Sequence, residues 1–263
     1  MPSGTTLPTD HPIDEDGARE LIAGAYGDTC RQFIQGCCVP LYWWRVDTAE
    51  QKIVSNGTVT FVETPQMLLG ITAAHVIRGY ETAAADGAIR LQLGDAIIDD
   101  LTERLIQIND ALDLATFALD QSVTTRIGHA VAPISLWPPM RPQEGCGIML
   151  GGFPGQERNV CQPLNVNFGL FTALGIARTV SADQITWRVE RDFEVDGASV
   201  PSMPTHYDLG GISGGPLITA IENPTNFVTF RLGGIISQAS AEFEYVVAKC
   251  GDLIESDGGI SRP

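Results

Sequence analysis

The spacing of apolar residues predicts a helical start to the chain. Between Asp14 and Cys38, apolar side chains recur at intervals of three and four residues, which is the period of an amphipathic helix. Gly24 and Gly27 weaken a helix interior, so the segment is either one helix or two helices separated near these glycines. The polar, proline-containing residues 1–13 predict a loose tail. We therefore assign residues 1–38 to a tail and a helical extension that packs outside the main domain.

Beyond this extension, short β-prone runs replace the helical pattern. They include VPLYWWRV, KIVSNGTVTFVET, QMLLGITAAHVI, LATFAL, GIMLGGF, ITWRVE, GPLITAI and FVTFRLGGIIS. Turn residues separate these runs at the intervals of an antiparallel barrel or sandwich, and Asn56-Gly57 predicts a turn within one of them. The proline-rich residues 133–145 predict a semi-rigid connection between two β halves, 39–132 and 146–250.

Composition and charge restrict the partners and the location of the protein. Thirty-two acidic and sixteen basic side chains give 263 residues a formal charge of −16, which repels nucleic acids and anionic lipid surfaces. Residues 1–20 lack the features of a secretory signal, and no apolar run is long enough to span a membrane. These observations predict a cytoplasmic protein that binds neither nucleic acid nor membrane.

The cysteines favour thiols over a disulfide framework or a metal site. The six cysteines are Cys30, Cys37, Cys38, Cys146, Cys161 and Cys250. They are sparse, two of them are adjacent, and no two show the C-x-x-C spacing of zinc ligands. We expect reduced, mostly buried thiols, no metal and no cofactor.

Three short motifs carry the residue types that serine-based catalysis needs. They are T-A-A-H ending at His75, D-L-A beginning at Asp113, and G-I-S-G-G-P around Ser213. A serine hydroxyl is a weak nucleophile near neutral pH unless an imidazole takes its proton and a third group orients that imidazole. The motifs predict Ser213 as nucleophile, His75 as general base and Asp113 as the orienting residue. The flanking glycines also let the N–H groups of Gly211 and Ser213 form an oxyanion hole.

In this order, the three motifs resemble the signature of the trypsin-like (chymotrypsin-fold) serine peptidases. The flanking segments G-T-V-T-F-V, from Gly57, and L-G-G-I-I-S, from Leu232, are similar to strands of that family. The resemblance spans Val39 to Lys249 and is closer to the bacterial, HtrA-like branch than to secreted digestive enzymes.

The resemblance implies an all-β fold for residues 39–263. Two antiparallel six-stranded β-barrels would hold the active site in the cleft between them, with the helical extension outside. By the same resemblance, the hydroxyl of Ser237 would support a buried Asp113 carboxylate. The backbone of Ser237, Gln238 and Ala239 would pair with an extended substrate.

Two departures from the family pattern concern activation and specificity. Ile212 stands where secreted enzymes carry the aspartate that receives the new N-terminus of an activated zymogen, so that activation mechanism is absent. The position of the specificity residue holds Tyr207, followed by Asp208. Both are candidate substrate-binding residues, and cleavage after basic residues would require Asp208 to take that role.

The predicted function is a serine endopeptidase that cleaves peptide or protein substrates through an acyl-enzyme. The alternative is a catalytically silent module that keeps the fold for peptide binding or as a scaffold. An esterase would use the same residues but has no separate support in the sequence. Because zymogen chemistry is absent, we also expect a regulatory protein partner acting through the N-terminal segment.

Overall fold

The computed structural model describes residues 15–46, 53–99, 101–127, 136–162, 165–189, 207–222, 228–240 and 245–262. Two helices come first, α1 (Glu15–Ala23) and α2 (Ala25–Cys37). They are separated at Gly24, which confirms the two-helix alternative. The predicted tail, residues 1–13, lies outside the described residues.

The first sheet contains seven antiparallel strands. Three helices lie between these strands or after them in the chain. The strands are β1 (Cys38–Arg45), β2 (Ile53–Glu63), β3 (Leu68–Thr72), β4 (Ile89–Leu93), β5 (Ala96–Ile98), β6 (Leu105–Asn109) and β7 (Leu114–Leu119). Their order across the sheet is β5-β4-β1-β2-β3-β7-β6. The helices are α3 (Ala74–Ala85), α4 (Leu101–Arg104) and α5 (Gln121–Arg126).

The second sheet also contains seven antiparallel strands. They are β8 (Gly147–Gly152), β11 (Phe171–Ile176), β12 (Thr179–Val180), β13 (Gln184–Arg188), β14 (Pro216–Glu222), β15 (Val228–Ser240) and β16 (Tyr245–Cys250). Their order is β11-β8-β14-β15-β16-β13-β12, and a separate hairpin is formed by β9 (Arg158–Gln162) and β10 (Asn165–Phe168). Residues 136–146, which precede this sheet, contain no strand.

The predicted all-β class is confirmed, since two curled antiparallel sheets form half-barrels and helices are few. Each sheet has seven strands instead of the six expected. The short edge strands β5 and β12 account for the larger number, because each extends its sheet by a hairpin. Residues 133–135 of the predicted connection lie outside the described residues.

The turn predicted at Asn56-Gly57 is wrong, because both residues lie inside β2. They pair with Tyr42 and Leu41 of β1. A Cβ atom at position 57 would lie 2.5 Å from Val76, so glycine is needed here for close packing by α3. The glycine at position 57 is therefore explained by tertiary packing and not by a turn, and the Asn-Gly dipeptide alone does not reveal that packing.

Helix α2 belongs to the core of the protein. Its residues Cys30, Ile34 and Cys37 are at most 3% exposed and join a cluster formed mainly by the second sheet. Ile34 packs against Gly151 of β8. Removal of the N-terminal segment would therefore uncover apolar surface.

We expect Ile34→Ala to lower the free energy of unfolding by about 2–5 kcal/mol, because it leaves a cavity in a packed core. Urea unfolding followed by circular dichroism measures the change. The control is Leu21→Ala in α1, whose side chain is 45% exposed; we expect it to cost about 0.5 kcal/mol or less. Equal, small effects of both changes would show that α2 is only loosely attached.

Most of the described cysteine side chains are buried, and the reduced state of the thiols stays a prediction. Cys30, Cys37, Cys38 and Cys250 are buried and unbridged, and Cys146 is exposed and unbridged. Burial raises the pKa of Cys37 to about 12 and that of Cys250 to about 11. None of the described helices has the length and apolar character to cross a bilayer.

Candidate active site

His75 and Asp113 come together because they lie at the ends of two paired strands. β3 ends at Thr72, and its partner in the ladder is Ala115 of β7. Asp113 immediately precedes β7, whereas His75 lies in the first turn of α3. The apolar run through T-A-A-H-V-I was predicted as strand, but the chain turns into a helix at Ala74, where alanines favour that conformation.

The carboxylate of Asp113 holds the imidazole of His75 in one orientation. Its Oδ2 lies 2.9 Å from Nδ1 of His75, and its Oδ1 accepts the backbone N–H of His75 at 2.9 Å. Asp113 has a φ of 51°, a left-handed conformation that aspartate tolerates better than most residues. Because Nδ1 faces Asp113, Nε2 is the ring nitrogen that faces away from it. The side chains are 53% and 27% exposed, so Asp113 is only partly buried.

The loop that carries Ser213 is held by β2 of the first sheet. Thr58 donates its N–H to the carbonyl oxygen of Ser213 at 2.8 Å and its hydroxyl to that of Gly211 at 2.9 Å. Thr60 donates its hydroxyl to the carbonyl oxygen of Gly214 at 2.8 Å. The two threonines are fully buried and project to the same side of β2, since they are two positions apart.

The motifs around the three candidate catalytic residues do not include these positioning threonines. Their signal is the spacing of polar residues along β2, where Asn56, Thr58 and Thr60 recur at every second position and so share one face of the strand. Asn56 contributes to the same junction by donating its side-chain amide to the carbonyl oxygen of Phe153 at 2.9 Å.

Gly214 shows how tightly this loop is packed. Its φ of +91° lies in a region that favours glycine. A Cβ atom there would also lie 1.9 Å from the carbonyl oxygen of Thr58. Any other residue at this position would push the Ser213 loop away from the first sheet.

Two backbone N–H groups of the loop stay without an acceptor among the described residues. The N–H groups of Gly210, Ile212 and Gly214 each donate to an acceptor within the protein. Those of Gly211 and Ser213, which alternate with them, do not. Two donors that lie two positions apart in the chain are thus available to an oxygen atom from outside the chain.

The peptide between Gly210 and Gly211 has a defined orientation. The carbonyl oxygen of Gly210 accepts the N–H of Gly155 at 2.7 Å. In a planar trans peptide the N–H points opposite to the carbonyl, so the N–H of Gly211 is directed away from Gly155.

His75, Asp113 and Ser213 line one open cleft of about 650 Å³. The hydroxyl of Ser213 donates a long hydrogen bond of 3.4 Å to the carbonyl oxygen of Ser237. Among the described contacts, none joins this hydroxyl to His75. Serine and histidine are often separated in this way before substrate binds.

The predicted substrate-binding residues fall into two groups. Ser237, Gln238 and Ala239 line the cleft. Tyr207 and Asp208 are not among its lining residues: Tyr207 is 8% exposed and packs on the ring of Phe171, and Asp208 accepts the N–H of Gly210. A role for Tyr207 and Asp208 in substrate binding stays a prediction.

The hydroxyl of Ser237 does not support Asp113, as the resemblance implied. It donates to the carbonyl oxygen of Val247 at 3.3 Å. The pairing of β15 with β16 shifts register between Ile236 and Gln238, which places Ser237 opposite that carbonyl. The backbone N–H of His75 takes the supporting role instead.

Within the ranges that the structure describes, no three His, Cys, Asp or Glu side chains cluster as metal ligands would.

Comparison with known proteins finds similarity only at the level of solved structures. Neither a protein-family model nor a curated protein matches the chain. Among solved structures, an inactive serine-to-alanine mutant of Rv3671c from M. tuberculosis H37Rv is similar. It shares 14% identity, with 84% of each chain covered and a TM-score of 0.42.

Proposed function

We propose that the protein is a serine endopeptidase of the trypsin-like type. The observation that carries this proposal is the oriented Asp113–His75 pair, which lines the same cleft as Ser213. The N–H groups of Gly211 and Ser213 supply the donors that an oxyanion requires.

In the proposed mechanism, the hydroxyl of Ser213 first breaks its long hydrogen bond to Ser237 and turns towards Nε2 of His75. His75 takes the proton as Ser213 attacks the scissile carbonyl, and Asp113 stabilises the imidazolium that forms. The N–H groups of Gly211 and Ser213 bind the oxyanion. His75 then protonates the leaving amine, and a water molecule hydrolyses the acyl-enzyme by the reverse sequence of proton transfers.

An extended peptide fits the edge of β15 beside Ser213. The pairing of β15 with β14 ends at Ile235, whereas its pairing with β16 continues to Ser240. The edge formed by residues 237–239 is therefore not covered by β14 at the cleft. In the proposal, a peptide or protein substrate adds to this edge as a strand.

Labelling with a fluorophosphonate probe tests the proposal directly. We expect the wild-type protein to be labelled and Ser213→Ala to remain unlabelled, because the probe reacts with an activated serine. The matched control is Ser55→Ala, which removes an exposed hydroxyl in β2 and should label like the wild type. A folded wild-type protein that does not react, even in the presence of peptide, would instead support the silent peptide-binding module.

A further inference from the structure

The cleft at Ser213 continues along one face of β13 and β16. In this ladder the residues with exposed or half-buried side chains alternate with buried ones. The accessible face consists of three cross-strand pairs, Gln184 with Lys249, Thr186 with Val247, and Arg188 with Tyr245. Gln184, Val247 and Lys249 line the same cleft as Ser213.

A second cavity of about 510 Å³ adjoins the first along this face. Val247 lines both cavities, so they are neighbours on one strip of the sheet. Arg178 and Arg188 line the second cavity, together with Thr186 and Tyr245. We refer to the two cavities together as the β13–β16 groove.

The charge of the β13–β16 groove is opposite to that of the protein. The chain carries a formal charge of −16. The lining of the groove nevertheless includes the cations Lys249, Arg178 and Arg188. The one described carboxylate in the lining, Asp113, is paired with His75, and the carboxylate of Asp183 lies 3.6 Å from Lys249 without lining the groove. The groove therefore attracts anionic groups more strongly than the acidic chain as a whole does.

Lys249 is held in the groove by long contacts. Its Nζ lies 3.6 Å from Oδ2 of Asp183 and 3.5 Å from Oε1 of Gln184, and its side chain is 14% exposed. Good N–H···O hydrogen bonds are about 2.7–3.2 Å long, so neither contact is close. An ammonium group can donate three hydrogen bonds, and a carboxylate entering the cleft would form a shorter, charge-assisted one.

We propose that Lys249, assisted by Gln184, selects an acidic side chain in the substrate. This inference rests on the proposed peptidase function. The aspartate or glutamate would belong to the residue whose carbonyl Ser213 attacks, because the same cleft contains Ser213 and Lys249. Arg188 would favour further acidic residues along the peptide. Asp208, which the sequence offered for basic substrates, does not line this cleft.

Kinetics on matched peptides test the selection. We expect kcat/KM for a glutamate peptide to exceed that for its glutamine counterpart by about 10- to 100-fold, as a charge-assisted hydrogen bond allows. The lysine counterpart should be the poorest substrate. Lys249→Met should abolish the difference between glutamate and glutamine, whereas Lys249→Arg should retain most of it. Arg90→Met, which removes an exposed arginine of the first sheet, should change nothing.

Binding to the Ser213→Ala variant separates this inference from the proposed function. A fluorescent glutamate peptide should bind at least about tenfold more tightly than its glutamine counterpart, and the difference should shrink with added salt. The change Lys249→Met in the same background should remove the difference, with thermal unfolding confirming that the variant folds. Fluorophosphonate labelling without any acidic preference would overturn the inference and leave the peptidase proposal intact. Acidic preference without labelling would overturn the peptidase proposal and leave the anionic groove.

Discussion

Ser213→Ala is expected to lower kcat/KM for peptide cleavage by about 10⁴-fold or more. The change removes the attacking oxygen, and the remaining activity would come only from binding and from the N–H donors of Gly211 and Ser213. Stability should be little affected, because the Ser213 hydroxyl makes a single long hydrogen bond of 3.4 Å. Single-turnover kinetics on the purified variant, with urea unfolding in parallel, measure both quantities.

The Ser55→Ala variant is the matched control for this change, because it deletes an exposed hydroxyl outside the cleft. It should cleave peptides at the wild-type rate. If Ser213→Ala also retained the wild-type rate, Ser213 could not be the nucleophile, and the proposed function would fail.

Asp113→Asn is expected to lower kcat by about 10⁴-fold with a much smaller change in KM. An asparagine amide facing Nδ1 of His75 would donate a hydrogen bond to it, which requires Nδ1 to be unprotonated and so places the imidazole proton on Nε2. His75 could then no longer accept the proton of Ser213. The side-chain oxygen of the asparagine can still accept the backbone N–H of His75, as Oδ1 of Asp113 does. The segment that carries residue 113 should therefore keep its position in the variant.

A neighbouring aspartate provides the control for Asp113→Asn. Asp110 is 64% exposed and pairs with Arg78 on α3, and it is not among the residues that line the cleft. We expect Asp110→Asn to leave kcat within about twofold of the wild type, since exposed ion pairs contribute little. Similar losses in both variants would show that general negative charge, and not the orientation of His75, matters at this site. The measurement is the initial rate of cleavage as a function of substrate concentration, which gives kcat and KM for each variant.

Much of the architecture could be predicted from local sequence patterns. The β-prone runs correspond to strands, as for L-A-T-F-A-L in β7, and the weak point at Gly24 separates α1 from α2. Local patterns failed where packing between distant segments decides the conformation. The Asn56-Gly57 pair lies inside β2 because Val76 of α3 packs against Gly57. Strand β3 gives way to α3 just before His75, although the residues on both sides are apolar.

The sequence alone predicted Ser213, His75 and Asp113 as a candidate triad, because each lies in a short local motif with its own glycines or small residues. It did not reveal the partners of these residues, which come from segments far apart in the chain. Only the folded sheets place Thr58 and Thr60 beneath the Ser213 loop and bring the Nδ1 of His75 to Asp113. Only the register of β13 with β16 places Lys249 opposite Gln184 in the groove beside Ser213. The physical reason is that a motif reflects the backbone conformation of a few neighbouring residues, whereas hydrogen-bond partners and groove charge depend on which strand edges meet.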